Sequence, residues 1–406
     1  MSPLAKTTER IPASVQASSV RRIWTAAWTI TSVFVLSNSA TPLYVRWQAE
    51  MGFSSGTLTL IFAAYIAGLL GTLLFAGRLS DRYGRKPVLF PGLAAAVIAC
   101  FLFVSASTVA ALLLARLLSG IAVGVIVSAG MASVMDVGGA ARRTTASLAA
   151  SVAMVLGAGL GPLLSGVLTE TLADPIVAVY GAQLVILASA FIAVGSLPLP
   201  RYAPAGDGGR RLQLPSVPER NRRHLAFGIA VFAPGITATS FVLSLGPSLF
   251  SKLLGATSPL VSGGTACIMF LTATGIQFVL KKLPVRTLLL LGALATLLSM
   301  ACTAAAVYAS AVVPLVLAAM LAGAGQGLGQ LGGLTLIGLH VPENRRAEAN
   351  AVLNMGGYIP AALLSVGTGY LTDFAGLAPG ATVFAAVLAA VSVGAMLAIG
   401  AKREFD

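Results

Sequence analysis

The stretch Gly77-Arg78-Leu79-Ser80-Asp81-Arg82-Tyr83-Gly84-Arg85-Lys86 decides how this chain must fold. It places four basic side chains and one acid between two long apolar runs. Charges at the centre of a bilayer are costly, so this segment must lie at a membrane face. Short loops rich in Lys and Arg stay on the cytoplasmic side, so the basic excess predicts a cytoplasmic loop.

The composition of the 406-residue chain is that of a membrane protein. Hydrophobic residues make up 57% of it and charged residues only 10%. A bilayer-spanning helix needs about 20 predominantly apolar residues, and about twelve runs approach that length. The sequence therefore predicts an all-α membrane protein with spans at 23–45, 56–77, 87–106, 109–137, 146–168, 176–198, 225–250, 258–280, 287–308, 311–338, 349–371 and 380–400.

The distribution of charge predicts the topology. With the N-terminus inside, 23 of the 26 Lys and Arg residues fall in segments predicted to be cytoplasmic, which orients both termini to the cytoplasm. The net charge of +13 is then explained by topology, and we expect no nucleic-acid partner. The predicted organisation is a tail (1–22), an N-terminal six-helix bundle (23–199), a cytoplasmic linker (200–223), a C-terminal six-helix bundle (224–400) and a short tail (401–406).

The two halves also resemble each other at a constant offset of 203 residues. The matched pairs are Gly120 with Gly323, Gly124 with Gly327, Arg142-Arg143 with Arg345-Arg346, Gly166 with Gly369, and Glu170 with Asp373. One offset that holds across several elements predicts two structural repeats around a central cavity.

The chain lacks the sequence patterns of an enzyme. Its three cysteines lie in different apolar runs without metal-ligand spacing, and no phosphate-binding loop or catalytic triad is present. We therefore predict no enzymatic activity, no cofactor and no metal site.

The opening stretch matches every position of G-x-L-S-D-R-x-G-R-K, the loop signature between the second and third helices of major facilitator superfamily (MFS) transporters. The chain resembles the twelve-helix drug:proton antiporters of that superfamily. This resemblance implies alternating access. It also implies a charge cluster of Asp81, Arg85 and Asp136 that latches the two halves, with Gly77, Arg82, Gly84 and Lys86 as further parts of the signature. The alternative is that these charges only set topology.

Two helix motifs add to the resemblance. Arg116 with Gly120 resembles the fourth-helix R-x-x-x-G motif, in which the arginine is linked to proton coupling or substrate binding. The alternative is an arginine satisfied by backbone carbonyls of the first span. The segment Gly157-x-x-x-Gly161-Pro162-x-x-Ser165-Gly166 resembles the fifth-helix signature of exporters, with Ser165 where the pattern has Gly. It favours export.

Polar side chains in the predicted spans are the candidates for the substrate path. They are Asn38, Tyr65, Arg116, Gln277, Gln326, Gln330, Asn354 and Tyr358. Each of the amides could instead bond a neighbouring helix. None of the thirteen acids falls mid-membrane by the predicted spans. Proton coupling would therefore use Asp136, Asp81 or an external acid such as Glu50, or else the substrate itself would carry the charge. The charge of Arg116 favours neutral, zwitterionic or anionic substrates over organic cations.

We therefore predict a monomeric exporter of small organic molecules in the bacterial inner membrane, with protons as the coupling ion and lipid as its environment. The first alternative is a narrow-specificity porter of an anionic or zwitterionic metabolite. The second is a membrane sensor that does not transport. Low aromatic content, 7%, argues against a broad drug site.

Overall fold

The computed structural model describes residues 20–199, 219–342 and 345–401, and these form helices and turns without a strand. The predicted tails over 1–19 and 402–406 and the linker over 200–218 lie outside the described residues. The long helices are α1 (Val20–Ser39), α2 (Ser55–Tyr83), α3 (Arg85–Val104), α4 (Val109–Gly138), α5 (Arg143–Thr171), α6 (Pro175–Ser196), α7 (Glu219–Ser244), α8 (Pro259–Leu280), α9 (Val285–Ala309), α10 (Val312–His340), α11 (Arg346–Ala375) and α12 (Leu377–Gly400).

Eleven of these helices, α2 to α12, are long and apolar enough to cross a membrane. Helix α1 has 20 residues, which extend about 30 Å at 1.5 Å per residue, but Arg21, Arg22 and several hydroxyl side chains make it less apolar. It packs against α4, α5 and α6, and its polar residues from Thr29 to Ser39 are buried. Its polar face therefore meets protein instead of lipid, as a polar span requires.

Two predicted spans end earlier than the sequence suggested. The first was expected to reach residue 45, but α1 ends at Ser39, and Pro42 lies in the short 3-10 turn Thr41–Leu43 before the helix Tyr44–Met51. The seventh was expected over 225–250, but α7 starts at Glu219, inside the predicted linker, and stops at Ser244 ahead of Pro247. Proline supplies no backbone N–H, so it interrupts the hydrogen bonds of a continuous helix.

The long helices alternate in direction, so the bundle has two ends. We call the end that carries Gly84 the loop end, and the end that carries Gly52 the far end. Helix α2 runs from the far end to the loop end, where Gly84 adopts a φ of 94°. This conformation strongly favours glycine and lets the chain reverse directly into α3. The predicted importance of Gly84 thus has a backbone cause.

The predicted pseudo-symmetry of the two halves is confirmed by matching helix contacts. We call residues 20–199 the N-half and the described residues from 219 onward the C-half. In the N-half, a Cβ on Gly120 of α4 would overlap the carbonyl oxygen of Tyr65 in α2. In the C-half, a Cβ on Gly323 of α10 would overlap the carbonyl oxygen of Met269 in α8. The paired glycines therefore allow the same close helix crossing in each half.

The halves meet along two interfaces, α2 with α11 and α5 with α8. A Cβ on Gly166 would lie 2.9 Å from the carbonyl oxygen of Pro259, and one on Gly369 would lie 2.8 Å from that of Ser55. Both contacts lie toward the far end and again follow the repeat. Gly166, predicted as part of the exporter signature, is thus a contact between the halves.

Candidate functional site

A cavity of about 500 Å³ lies between the two halves. From the N-half it is lined by Phe34, Asn38, Phe62, Tyr65, Ile66, Leu69, Leu73, Val123, Val127, Met131, Ser151, Met154, Val155 and Ala158. From the C-half it is lined by Ile236, Thr239, Ser240, Leu243, Phe270, Ala273, Thr274, Gln277, Phe278, Lys281, Gln326, Gln330, Leu331, Leu334, Asn350, Asn354 and Tyr358. This volume falls in the range of small-molecule sites.

Seven of the eight side chains predicted for the substrate path line this cavity, and Arg116 is the exception. The seven are Asn38, Tyr65, Gln277, Gln326, Gln330, Asn354 and Tyr358. Their contact with a substrate stays a prediction. The sequence reasoning missed Asn350, which lies one helical turn before Asn354, and the hydroxyls Thr239, Ser240 and Thr274. Asn350 could have been predicted from its spacing of four residues from Asn354 on the same helix.

Two amides of the cavity, those of Asn354 and Gln277, form bonds within their own helices. Asn354 Nδ2 donates to the carbonyl oxygen of Asn350 at 2.8 Å and to its Oδ1 at 3.1 Å. Gln277 Nε2 donates to the Ala273 carbonyl at 3.2 Å. These bonds do not join two helices, so they give no support to the alternative of interhelical packing. Gln183 is different, because its Nε2 donates to the Ser32 carbonyl of α1 at 2.7 Å and lies outside the cavity.

Arg116 is 1% exposed and lies behind the cavity wall. Its Nη1 donates to the carbonyl oxygen of Ser37 in α1 at 2.7 Å. Its guanidinium lies 4.7 Å from the ring centroid of Tyr65, 5.4 Å from that of Phe62 and 6.0 Å from that of Tyr44. This is the carbonyl-bonded arrangement that the sequence left open as the alternative. The predicted contact between Arg116 and a substrate stays a prediction.

The neighbours of Arg116 explain how a charge is held at this depth. Nε and Nη2 have no hydrogen-bond partner within the described chain. Three aromatic rings surround the guanidinium instead, and ring faces attract a desolvated cation. Because Tyr65 and Phe62 also line the cavity, they are the direct physical connection between Arg116 and whatever occupies it.

At the loop end, the structure brings together the three predicted gate residues. Arg85 Nε contacts Asp136 Oδ2 at 2.7 Å, and Arg85 Nη1 contacts Asp81 Oδ1 at 2.6 Å. Nη1 also donates to Ser80 Oγ at 2.8 Å. The cluster therefore joins α2, α3 and α4 within the N-half. Asp81 leaves 73% of its side chain exposed, so its role as a latch onto the C-half stays a prediction.

The other residues of the signature have separate environments. Lys86 Nζ donates to the carbonyl oxygen of Gly195 at 2.8 Å, which ties α3 to the end of α6. Arg82 lies over the ring of Tyr83, 5.4 Å from its centroid. A Cβ on Gly77 would meet no atom within 4 Å, so this glycine is not required by packing here.

The predicted exporter signature in α5 packs against α1. A Cβ on Gly157 would lie 2.6 Å from the carbonyl oxygen of Thr31, and a Cβ on Gly161 would overlap the carbonyl oxygen of Val35. Pro162 lies inside the helix, where it removes one backbone hydrogen bond. Together these residues let α5 approach α1 as closely as two backbones allow.

Two carboxylates join the halves at the far end, and the sequence reasoning assigned them no role. Asp373 Oδ1 accepts from the Ser55 backbone N–H and Oδ2 accepts from that of Gly56, both at 2.8 Å. Glu170 Oε2 accepts from Ser258 Oγ at 2.7 Å. Carboxylates are favoured at helix N-termini, and these oxygens meet the first residues of α2 and the residue before α8. The offset of 203 residues pairs Glu170 with Asp373, and this pairing is the sequence feature that could have indicated equivalent roles for the two acids.

These contacts define the conformation of the structure. The bonds of Asp373 and Glu170 tie the halves at the far end. The cavity lining, in contrast, extends to Lys281 at the end of α8 and Asn350 in the second turn of α11, both near the loop end. The cavity therefore opens toward the loop end.

Comparison with known proteins identifies the family. Residues 24–286 match the family model of the Major Facilitator Superfamily. Over 79 residues the chain is 40% identical to multidrug resistance protein MdtL of Klebsiella pneumoniae and of Escherichia coli, a match that spans 20% of this chain and 20% of each relative. Solved structures with the same fold include a POT family transporter in complex with 5-aminolevulinic acid, with a TM-score of 0.72 and 12% identity over 94% of this chain and 96% of that chain. A D-xylose-proton symporter gives a TM-score of 0.68 and 15% identity over 95% and 97%. The structure agrees with these matches, because it has a cavity between two pseudo-symmetric six-helix halves that opens toward one end. The chain belongs to the Major Facilitator Superfamily of transporters.

Proposed function

We propose that this transporter exports small, drug-like organic molecules from the cytoplasm across the bacterial inner membrane by alternating access. The observation that carries the proposal is the cavity of about 500 Å³, tied shut at the far end by contacts between the halves and open toward the loop end. A site that opens to one side must close there and open on the other for net transport.

The loop end is the cytoplasmic end in this proposal. Support comes from four basic residues at this end, Arg78 and Arg82 in the last two turns of α2 and Arg85 and Lys86 at the start of α3, because short segments rich in Lys and Arg at a membrane face remain cytoplasmic. The cavity is then loaded from the cytoplasm, and molecules leave after the far end opens. The glycine and proline pattern of α5 and the local similarity to MdtL support export over import.

Proton coupling belongs to the same proposal. No Asp or Glu lines the cavity within the described chain, so a proton carried through the site would need a carboxylate outside the lining. Candidates are Asp136 and Asp81 at the loop end and Glu50, which pairs with Arg46 at 2.7 Å. Transport driven by the substrate gradient alone is the competing mechanism.

The test is a growth-inhibition profile in an efflux-deficient bacterium. Cells that express the chain are compared with cells that carry the empty vector and with cells that express Arg116→Ala at an equal membrane level. Raised tolerance to a set of compounds, with lower cellular accumulation, is the expected result. No change for any compound at verified membrane expression would refute drug export and favour a dedicated metabolite porter.

A further inference from the structure

The two walls of the central cavity differ sharply in chemistry. The C-half supplies five primary amides: Gln277, Gln326, Gln330, Asn350 and Asn354. The N-half supplies one, Asn38, and its wall is otherwise mostly aliphatic and aromatic with two methionines. A molecule between these walls therefore meets hydrogen-bonding groups on one side and apolar surface on the other.

The amides of the C-half are placed in register. Gln326 and Gln330 are one helical turn apart on α10, and Asn350 and Asn354 are one turn apart on α11, so each pair projects from one side of its helix. Gln326 Oε1 is buried and has no partner within the described chain. A buried amide oxygen without a partner is unfavourable, so turning the Gln326 amide toward a hydrogen-bond donor on a molecule in the cavity would be favourable.

The cavity offers little to a charged molecule. Lys281, near the loop end, is the one charged side chain among the described lining residues, so an organic cation finds no carboxylate. The Tyr65 ring, which could attract a cation, already has the Arg116 guanidinium 4.7 Å from its centroid. An anion finds one cation in the lining, Lys281 near the loop end, because Arg116 is bonded to the Ser37 carbonyl and is absent from the lining. Charges without partners are costly to desolvate.

We infer that the substrate of this cavity is an uncharged amphipathic molecule, which places a hydrogen-bonding edge against the amides of the C-half and an apolar face against the N-half. This inference rests on the proposed function, because it takes the cavity as the transport site. Primary amides carry both donors and acceptors, so carboxamides, ureides and hydroxylated rings are the matching chemistry. From the charge of Arg116 we expected neutral, zwitterionic or anionic substrates. Of these three classes, only neutral molecules fit this inference.

The test uses three probes that share one apolar scaffold: biphenyl-4-carboxamide, biphenyl-4-carboxylate and biphenyl-4-methylammonium. Binding to the purified full-length protein in lipid nanodiscs is measured by calorimetry at pH 7. We expect the carboxamide to bind at least tenfold more tightly than either ion. Equal affinity for all three, preference for either ion, or no binding of the carboxamide would overturn the inference.

Two substitutions at one position make the test specific. Gln326→Leu should weaken carboxamide binding at least fivefold, because it removes the amide from the polar wall. Gln326→Glu should strengthen binding of the methylammonium probe at least fivefold, because it supplies the missing carboxylate. Gln183→Leu, which removes a buried amide outside the cavity, is the matched control and should leave all three affinities unchanged. Unaltered probe preference in both Gln326 variants would also refute the inference.

The binding test of the substrate class and the cellular test of export can succeed or fail independently. Export is judged by tolerance and accumulation in cells, whatever the probes do. If export is established but the carboxamide is not preferred, the substrate class is wrong and the function stands. If the carboxamide is preferred through Gln326 but no compound is exported, the cavity chemistry stands and the direction or type of transport is wrong.

Discussion

Replacing Asp373 with asparagine is expected to shift the transporter toward the conformation that is open at the far end. The carboxylate of Asp373 accepts two backbone N–H groups, from Ser55 and Gly56, across the interface between the halves. Asparagine retains one acceptor oxygen of similar position but removes the second acceptor and the negative charge. The contact between α2 and α11 should weaken without a change in side-chain size.

The size of the effect follows from the kind of bond that is lost. A side chain that caps a helix N-terminus contributes about 0.5–2 kcal/mol. A charge near the helix dipole adds about 0.3–1 kcal/mol when it is exposed. Since Asp373 is exposed and asparagine keeps one bond, we expect a loss of about 1 kcal/mol. This corresponds to about a fivefold change in the ratio of the two conformations.

The carboxylate of Glu170 should contribute independently to the free-energy difference between the two conformations. Glu170→Gln weakens the bond to Ser258 on the other interface, and distant sites with no shared partner usually add. The double variant is therefore expected to change the ratio by about 10- to 30-fold. Spin labels at Ser107 and Tyr308, exposed positions near the far end of each half, would report the population of each conformation by their distance distribution.

Asp174→Asn is the matched control, because this exposed far-end acid lies at the start of α6 without a capping bond. Its distance distribution should equal that of the unmodified protein. If the Asp373→Asn, Glu170→Gln double variant also gives an unchanged distribution, then these bonds do not hold the far end closed. The assigned role of the two carboxylates would then be wrong.

Four further results are expected. Arg116→Ala should reduce transport more than tenfold in proteoliposomes while the protein remains folded by circular dichroism, and wild-type flux would remove its functional role. Asp81→Asn should slow turnover more than it weakens substrate binding, because it affects the gate and not the cavity, and unchanged turnover would refute the latch. Gly120→Val should destabilise the protein by more than about 3 kcal/mol because its side chain meets the Tyr65 carbonyl, whereas Gly77→Ala should change thermal stability little, and equal melting temperatures would contradict the packing argument. Transport of an uncharged substrate should continue after a protonophore removes the pH gradient if no carboxylate relays protons, and complete loss of transport would establish proton coupling.

The helices and their order could be predicted, because the length of each apolar run indicates a span and the charged segments between the runs mark where spans end. The ends of α1 and α7 could not, because hydropathy does not register that Pro42 and Pro247 interrupt a run that stays apolar. Polarity within a span was a good indicator of the cavity, since buried amides need a reason to be there. Polarity alone does not distinguish Gln326, which lines the cavity, from Gln183, which bonds to α1; the candidate list omitted Gln183 because it lies in the sixth span.

Arg116 shows the same limit at one residue. Its depth in α4 was evident from the sequence, but the direction of its side chain depends on α1 and on two aromatic rings that arrive from α2. The pairing of Asp373 with Ser55 lies further beyond sequence reasoning. These residues are more than 300 positions apart, and their contact exists only once both halves have assembled.

Helix α4 contains a wide π turn over Ile126–Gly130, which lies along the cavity wall between the lining residue Val123 and the gate residue Asp136. A π turn accommodates one residue more than an α turn, and each residue advances the helix by about 100°. Removing one residue there would leave Val123 facing the cavity but rotate Asp136 by about 100° away from Arg85. The extra residue of the π turn therefore sets the rotation of the second part of α4 relative to the first. With this rotation, the same helix directs Val123 to the cavity and Asp136 to Arg85.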